Sequence, residues 1–127
     1  MLQDRHSDSS GLYKIWKIEK RIWLEGQPAM KENFMSEAII MPPHPKPVQR
    51  IDSFLEAVSR ATPFEKVEFS DQKFINLGHT VIITYHAKAK HKRFRQKYTA
   101  RCQTTYVNLD GALKVASHSH QKLPRRA

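Results

Sequence analysis

The stretch "HTVIITYHAKAKHKRFRQKYTARCQTTYVNLDGALKV", residues 79–115, decides how the chain is read. Its apolar residues alternate instead of recurring every three or four positions, which is the period of strands. On the outgoing half Val81, Ile83, Tyr85, Ala87 and Ala89 share one face, and Thr80, Ile82, Thr84, His86, Lys88 and Lys90 share the other. On the return Phe94, Tyr98, Ala100, Cys102, Thr104 and Tyr106 take one side, opposite Arg95, Lys97, Thr99, Arg101 and Gln103. This predicts an antiparallel pair with a hidden apolar side and a cationic outer side. Asp110-Gly111 predicts a tight hairpin into a further strand, "ALKVASHSHQ". Upstream, "KVEFSDQKFINL" reads as another strand, separated from the pair by the turn residues Asn76 and Gly78.

Before Pro63 the period is helical. From Ser9 to Glu25, Leu12, Ile15, Trp16, Ile22 and Trp23 recur at three- and four-residue steps on one helix face. Ser9 or Ser10 is placed to cap this helix, and Gly26 followed by Pro28 to end it. Glu19 falls inside the stripe, either as an edge carboxylate or as one in a pocket wall. "PAMKENFM" predicts a short second helix and "EAIIM" a brief strand. The prolines of "PPHPKP" make a rigid loop. Val48, Ile51, Phe54, Leu55 and Val58 then mark a third helix, closed by Thr62 and Pro63. Helices first and a meander of strands second predicts an α+β domain with helices packed on one face of a sheet.

The 127 residues suit one domain, with an ordered core over about 9–121 and fraying ends. The net charge of +10 is uneven: residues 1–71 hold 10 basic and 11 acidic groups, residues 72–127 hold 12 and 1. Such a field attracts anions but does not define a fold. No apolar run approaches the roughly 20 residues that cross a bilayer, and the N-terminus lacks a signal-peptide core, so no membrane partner and a cytoplasmic location are expected. Cys102 is the single cysteine, which excludes an internal disulfide.

The segment 86–101 carries seven Lys or Arg and no acid. As a sheet face it is a solvated skin that discourages edge pairing, a phosphate-binding platform, or a dock for an acidic partner or second subunit. A platform for nucleic acid needs aromatics among the charges. Phe94, Tyr98 and Tyr106 have the opposite parity, so nucleic acid is not expected. His118 and His120 share a face with Lys114 and Ala116; if Leu113 and Val115 face the core, both histidines point outward. A metal would need a third convergent ligand that the sequence does not show, and no metal or cofactor is expected. Cys102 reads as a small buried thiol.

Several segments, taken in order, resemble the ketosteroid isomerase-like or nuclear transport factor 2-like (NTF2-like) superfamily, in its SnoaL-like branch. They are "IWKIEKRIWLEG", "EAIIMPP", "TPFEKVEFSD", the "LG" turn before "VIITYHAKA", and "YTARCQTTYVNLDGALKV". The resemblance implies a conical half-barrel of about three N-terminal helices on a strongly curved, mostly antiparallel sheet. It also implies a concave pocket and a homodimer. Ketosteroid isomerases place a general-base aspartate directly before a proline at the end of the short strand. Here Met41 and Pro42 occupy that place, and Asp110, the one acid after Asp71, is in a turn. Cyclases of this fold use an Asp or His that faces the pocket. The expectation is therefore a domain binding a small apolar or amphipathic molecule, with possible lyase, isomerase or cyclase chemistry. Its pocket would be lined by Glu19, Trp23, Met41, Tyr85, Cys102 and Tyr106, with Glu19 as candidate acid/base. The alternative is an interaction module that uses the basic face.

Overall fold

The computed structural model describes residues 5–58 and 64–124, and the side chains from residue 11 onward except that of Val58. The ends of the chain and the Thr62-Pro63 stop of the third helix lie outside the described residues.

Helix α1 (Arg5–Glu25) starts before the sequence suggests, so Ser9 and Ser10 lie within it and do not cap it. It ends at Gly26, whose φ of 72° and ψ of −128° suit a residue without a Cβ. Helix α2 (Gln27–Asn33) follows at once with a proline in its first turn. Arg21 ties the two helices by reaching both Glu25 and Glu32 at 3.0 Å.

Phe34 and Met35, expected in α2, instead open strand β1 (Phe34–Met41). After the proline loop, Gln49–Arg50 form a short strand β2 against Ile39 and Ile40, so helix α3 (Ile51–Val58) begins three residues later than expected. Val48 is consequently exposed, while Ile51 is buried. Strands β3 (Lys66–Asn76), β4 (Thr80–Lys90), β5 (Lys97–Leu109) and β6 (Ala112–Lys122) complete the fold. The Asp110-Gly111 turn has positive φ at both residues (53° and 91°), the geometry that matches strand twist in a two-residue hairpin.

The strands form one open sheet in the order β2-β1-β6-β5-β4-β3, parallel only between β1 and β6. The inward faces of β4 and β5 are as their alternation predicts: Ile83, Tyr85, Ala87, Ala89, Ala100, Cys102, Thr104 and Tyr106 are buried. Phe94 is the exception. It lies in the loop between β4 and β5, ahead of the strand, and is exposed. Ile15, Ile22 and Trp23 of α1 pack in the same core.

Strand β6 breaks its own alternation. Thr105 pairs with Ser117, but the adjacent Tyr106 pairs with Val115, leaving Ala116 as an extra residue. The bulge re-aims everything beyond it. Val115 and His118 therefore both face the core, three residues apart, and the expectation that His118 points outward is overturned. Among the described residues no helix is long and apolar enough to cross a membrane.

Candidate functional site

The bulge brings His118 to Glu19, which α1 presents to the sheet from the middle of its apolar stripe. Both are buried, Glu19 completely. The carboxylate accepts hydrogen bonds from three hydroxyls: Tyr106 to Oε1 at 2.6 Å, Thr104 to Oε2 at 2.6 Å, and Tyr85 to Oε2. Tyr85 in turn accepts from Trp23 Nε1 at 3.0 Å. Two tyrosines and a threonine at inward positions thus meet the one acid in the stripe, which satisfies a group that would be costly to bury alone.

From this carboxylate a chain of polar atoms leads outward. Thr104 Oγ1 is also 2.6 Å from His118 Nδ1, which lies 3.4 Å from Glu19 Oε2. His118 Nε2 is 2.7 Å from His120 Nε2, and His120 Nδ1 has a long 3.5 Å contact with the Tyr98 hydroxyl. Trp23 stacks on His120 at 4.6 Å and 10°, fixing the ring.

Burial dominates the electrostatics. It raises the Glu19 pKa against the opposing pull of the Thr104, Tyr106 and Tyr85 hydrogen bonds. It lowers His118 to about 4, and it lowers His120 further below the ordinary value, with His118 adding to the effect. The arrangement therefore disfavours an imidazolium at either ring and favours a proton on Glu19.

His118 and His120 end at the wall of a cavity of about 480 Å³ between the helices and the β1–β6 side of the sheet. Its walls are mainly apolar, from Ile22, Trp23, Met30, Ile40, Phe54 and Phe64, and its rim carries Met41, Lys46 and Gln49. Of the six residues expected to line a pocket, Trp23 and Met41 do so. Glu19 and Tyr106 are sealed in the core, while Tyr85 and Cys102, absent from this cavity, border a second pocket of about 500 Å³ along β3 to β6 with Thr84, His86, Arg101 and Gln103. Burial, then the neighbouring Glu19, pushes the Cys102 thiol up to about 12. Sequence reasoning singled out His118 and His120 but placed them on the outer face, and their place at the cavity is what parity missed.

No protein-family model and no curated protein matches the sequence. Solved structures do resemble the chain. An NTF2-like protein from Shewanella baltica OS155 superposes with TM-score 0.75 at 9% identity, covering 98% of this chain and 100% of that one. A candidate ketosteroid isomerase from Parabacteroides distasonis ATCC 8503 gives 0.75 at 11%, covering 86% and 85%. A protein with a cystatin-like fold from Nostoc punctiforme PCC 73102 gives 0.72 at 7%, covering 92% of each. The chain has the NTF2-like fold. At these identities the NTF2-like likeness concerns architecture, and chemistry must be argued from the site itself.

Proposed function

We propose that this NTF2-like domain binds a small, mainly apolar molecule in the cavity and moves a proton on it at His120. The observation that carries the proposal is the unbroken polar chain from the sealed Glu19 carboxylate, through Thr104 and His118, to a histidine on the cavity wall. The cavity volume suits a small organic ligand, and the few polar groups in apolar walls suit orientation of one.

The proton positions follow from donors and acceptors. With Glu19 ionised, Thr104 donates to it, His118 Nδ1–H donates to Thr104, and His120 Nε2–H donates to His118 Nε2. His120 Nδ1 is then an unprotonated base, held only loosely by Tyr98. When Nδ1 takes a proton from a ligand C–H or O–H, the Nε2 proton moves to His118. The Nδ1 proton of His118 passes to Thr104, and the Thr104 proton passes to Glu19. One proton enters and Glu19 ends neutral, while each imidazole remains neutral and changes tautomer. Running the chain backwards returns the proton to another ligand atom. This is general acid/base chemistry of the isomerase, cyclase or lyase kind.

The test is exchange of acidic C–H for C–D in D2O, read by NMR on a panel of small cyclic ketones. Exchange above the buffer rate that disappears in His120→Gln, with the same ligand still bound, supports the proposal. Exchange unchanged in that variant would refute it.

The proposal includes a homodimer. Edge strand β3 and the turn after it leave Phe74, Ile75 and Leu77 exposed, which suits cover by a second copy. Sedimentation velocity at micromolar concentration should give a dimer, and Ile75→Lys a monomer. A monomeric parent would count against it.

A further inference from the structure

We propose that the loop between β4 and β5, with the lysine row beside it, is a binding surface for single-stranded nucleic acid, separate from the cavity. Lys66, Lys90 and Lys97 are direct partners across three adjacent strands. Like charges placed opposite one another in a sheet repel. Among the described residues no ion pair involves these lysines; Glu65 reaches the row only through its backbone N–H, which donates to the Lys90 carbonyl at 2.7 Å, and the Glu65 and Glu68 carboxylates pair with none of them. The row therefore stores a repulsion that a polyanion would relieve.

The loop continues the charge with Lys92, Arg93 and Arg95, all exposed. Among them Phe94 is 61% exposed. Its ring is propped: Phe94 meets His91 edge-to-face at 5.5 Å, and His91 stacks on Phe64 at 4.2 Å. Alternation alone would have hidden Phe94 with Tyr98, and that was the ground for setting nucleic acid aside. Its actual place supplies the missing element, an accessible aromatic surface surrounded by cations.

This combination matches phosphate contacts plus base stacking, which requires unpaired bases. It fits a membrane surface less well, because one phenylalanine offers little apolar area to insert and the cations run on down the sheet face. The inward side of the same strands belongs to the core, and the surface meets the cavity only through Phe64, which lines the cavity and supports His91 beneath Phe94.

The probe is a fluorescein-labelled single strand of about 12 nucleotides, within the usual site size, titrated with the full chain over a salt series. Binding should appear at low salt and weaken linearly on a log–log plot. Phe94→Ala should weaken it between about fivefold and a hundredfold at unchanged salt slope. Replacing Lys90 and Lys97 by Gln should flatten the slope by about 0.7 per lysine. Phe94→Trp should retain affinity, and circular dichroism should show all variants folded. No binding at low salt would overturn the proposal. So would indifference to Phe94→Ala, equal affinity for a duplex of the same length, or tighter capture by phosphatidylserine vesicles.

Discussion

The His118 ring and the Glu19 carboxylate, on the last strand and the first helix, lie 3.4 Å apart with the Thr104 hydroxyl bonded to both. Removing the carboxylate would leave three buried hydroxyls without their acceptor. Each such group costs about 1–3 kcal/mol. Glu19→Ala should therefore lose more than about 3 kcal/mol in urea unfolding, whereas Glu19→Gln, which keeps an acceptor oxygen, should lose about 1 kcal/mol. Equal losses would show that the hydrogen bonds do not hold this part of the core.

The pH dependence of stability has two opposed parts. His118 has a folded pKa of about 4 against an ordinary 6.5, so the unfolded state takes the proton first. Its contribution is full above about 6.5 and is lost as pH falls towards 4. Glu19 is raised from 4.5, so its contribution is full below that value and is lost as pH rises through the folded pKa. In Glu19→Gln the histidine part stands alone. Between about pH 7 and 4 that variant should lose on the order of 3 kcal/mol through His118, and the parent less. Urea midpoints across the range would show it; a steeper fall in the parent would contradict the assignment.

Cys102 should be inert. It is buried and its thiol is pushed up to about 12, so almost no thiolate forms near neutrality. An aromatic disulfide reagent should label the native chain only at the rate of unfolding, and at once in denaturant. Rapid native labelling would place the thiol at an accessible surface.

Deleting Ala116 removes the extra residue and makes Val115 and Ser117 neighbours opposite Tyr106 and Thr105, so β6 should pair regularly with His118 and His120 still facing the core. The expected result is a folded chain whose two histidines still resist protonation well below the ordinary 6.5, as burial makes them do in the parent. Histidines that titrate near 6.5 after the deletion would mean that Ala116 is not the residue left out of the pairing.

That bulge marks the limit of what the sequence made legible. Alternation through Ile83, Tyr85, Cys102 and Tyr106 and the helical stripe around Glu19 were sufficient for the order of elements and for the inward side of β4 and β5. They also located the buried carboxylate. Parity counting assumes unbroken pairing, however, and nothing in "KVASHSH" marks Ala116 as the residue that drops out. The histidine pair was assigned to the wrong face for that reason. Phe94 failed similarly, since strand alternation was extended into a loop where it has no meaning. Glu19 and Tyr106 were read as lining a pocket, yet inward-facing is not the same as cavity-facing. Packing of α1 against the sheet seals those two residues, and the apolar cavity lies nearer β1 and β6.

The most direct test of the relay is the protonation of its two histidines, read by 15N-edited NMR of the side chains as pH is lowered through the raised Glu19 transition. The account predicts no imidazolium at either ring. His118 should pass from the Nδ1–H to the Nε2–H tautomer and His120 from Nε2–H to Nδ1–H, together, as Glu19 takes its proton, and Glu19→Gln should abolish the exchange. Independent titration of the two rings to imidazolium near 6.5, unchanged in that variant, would contradict it.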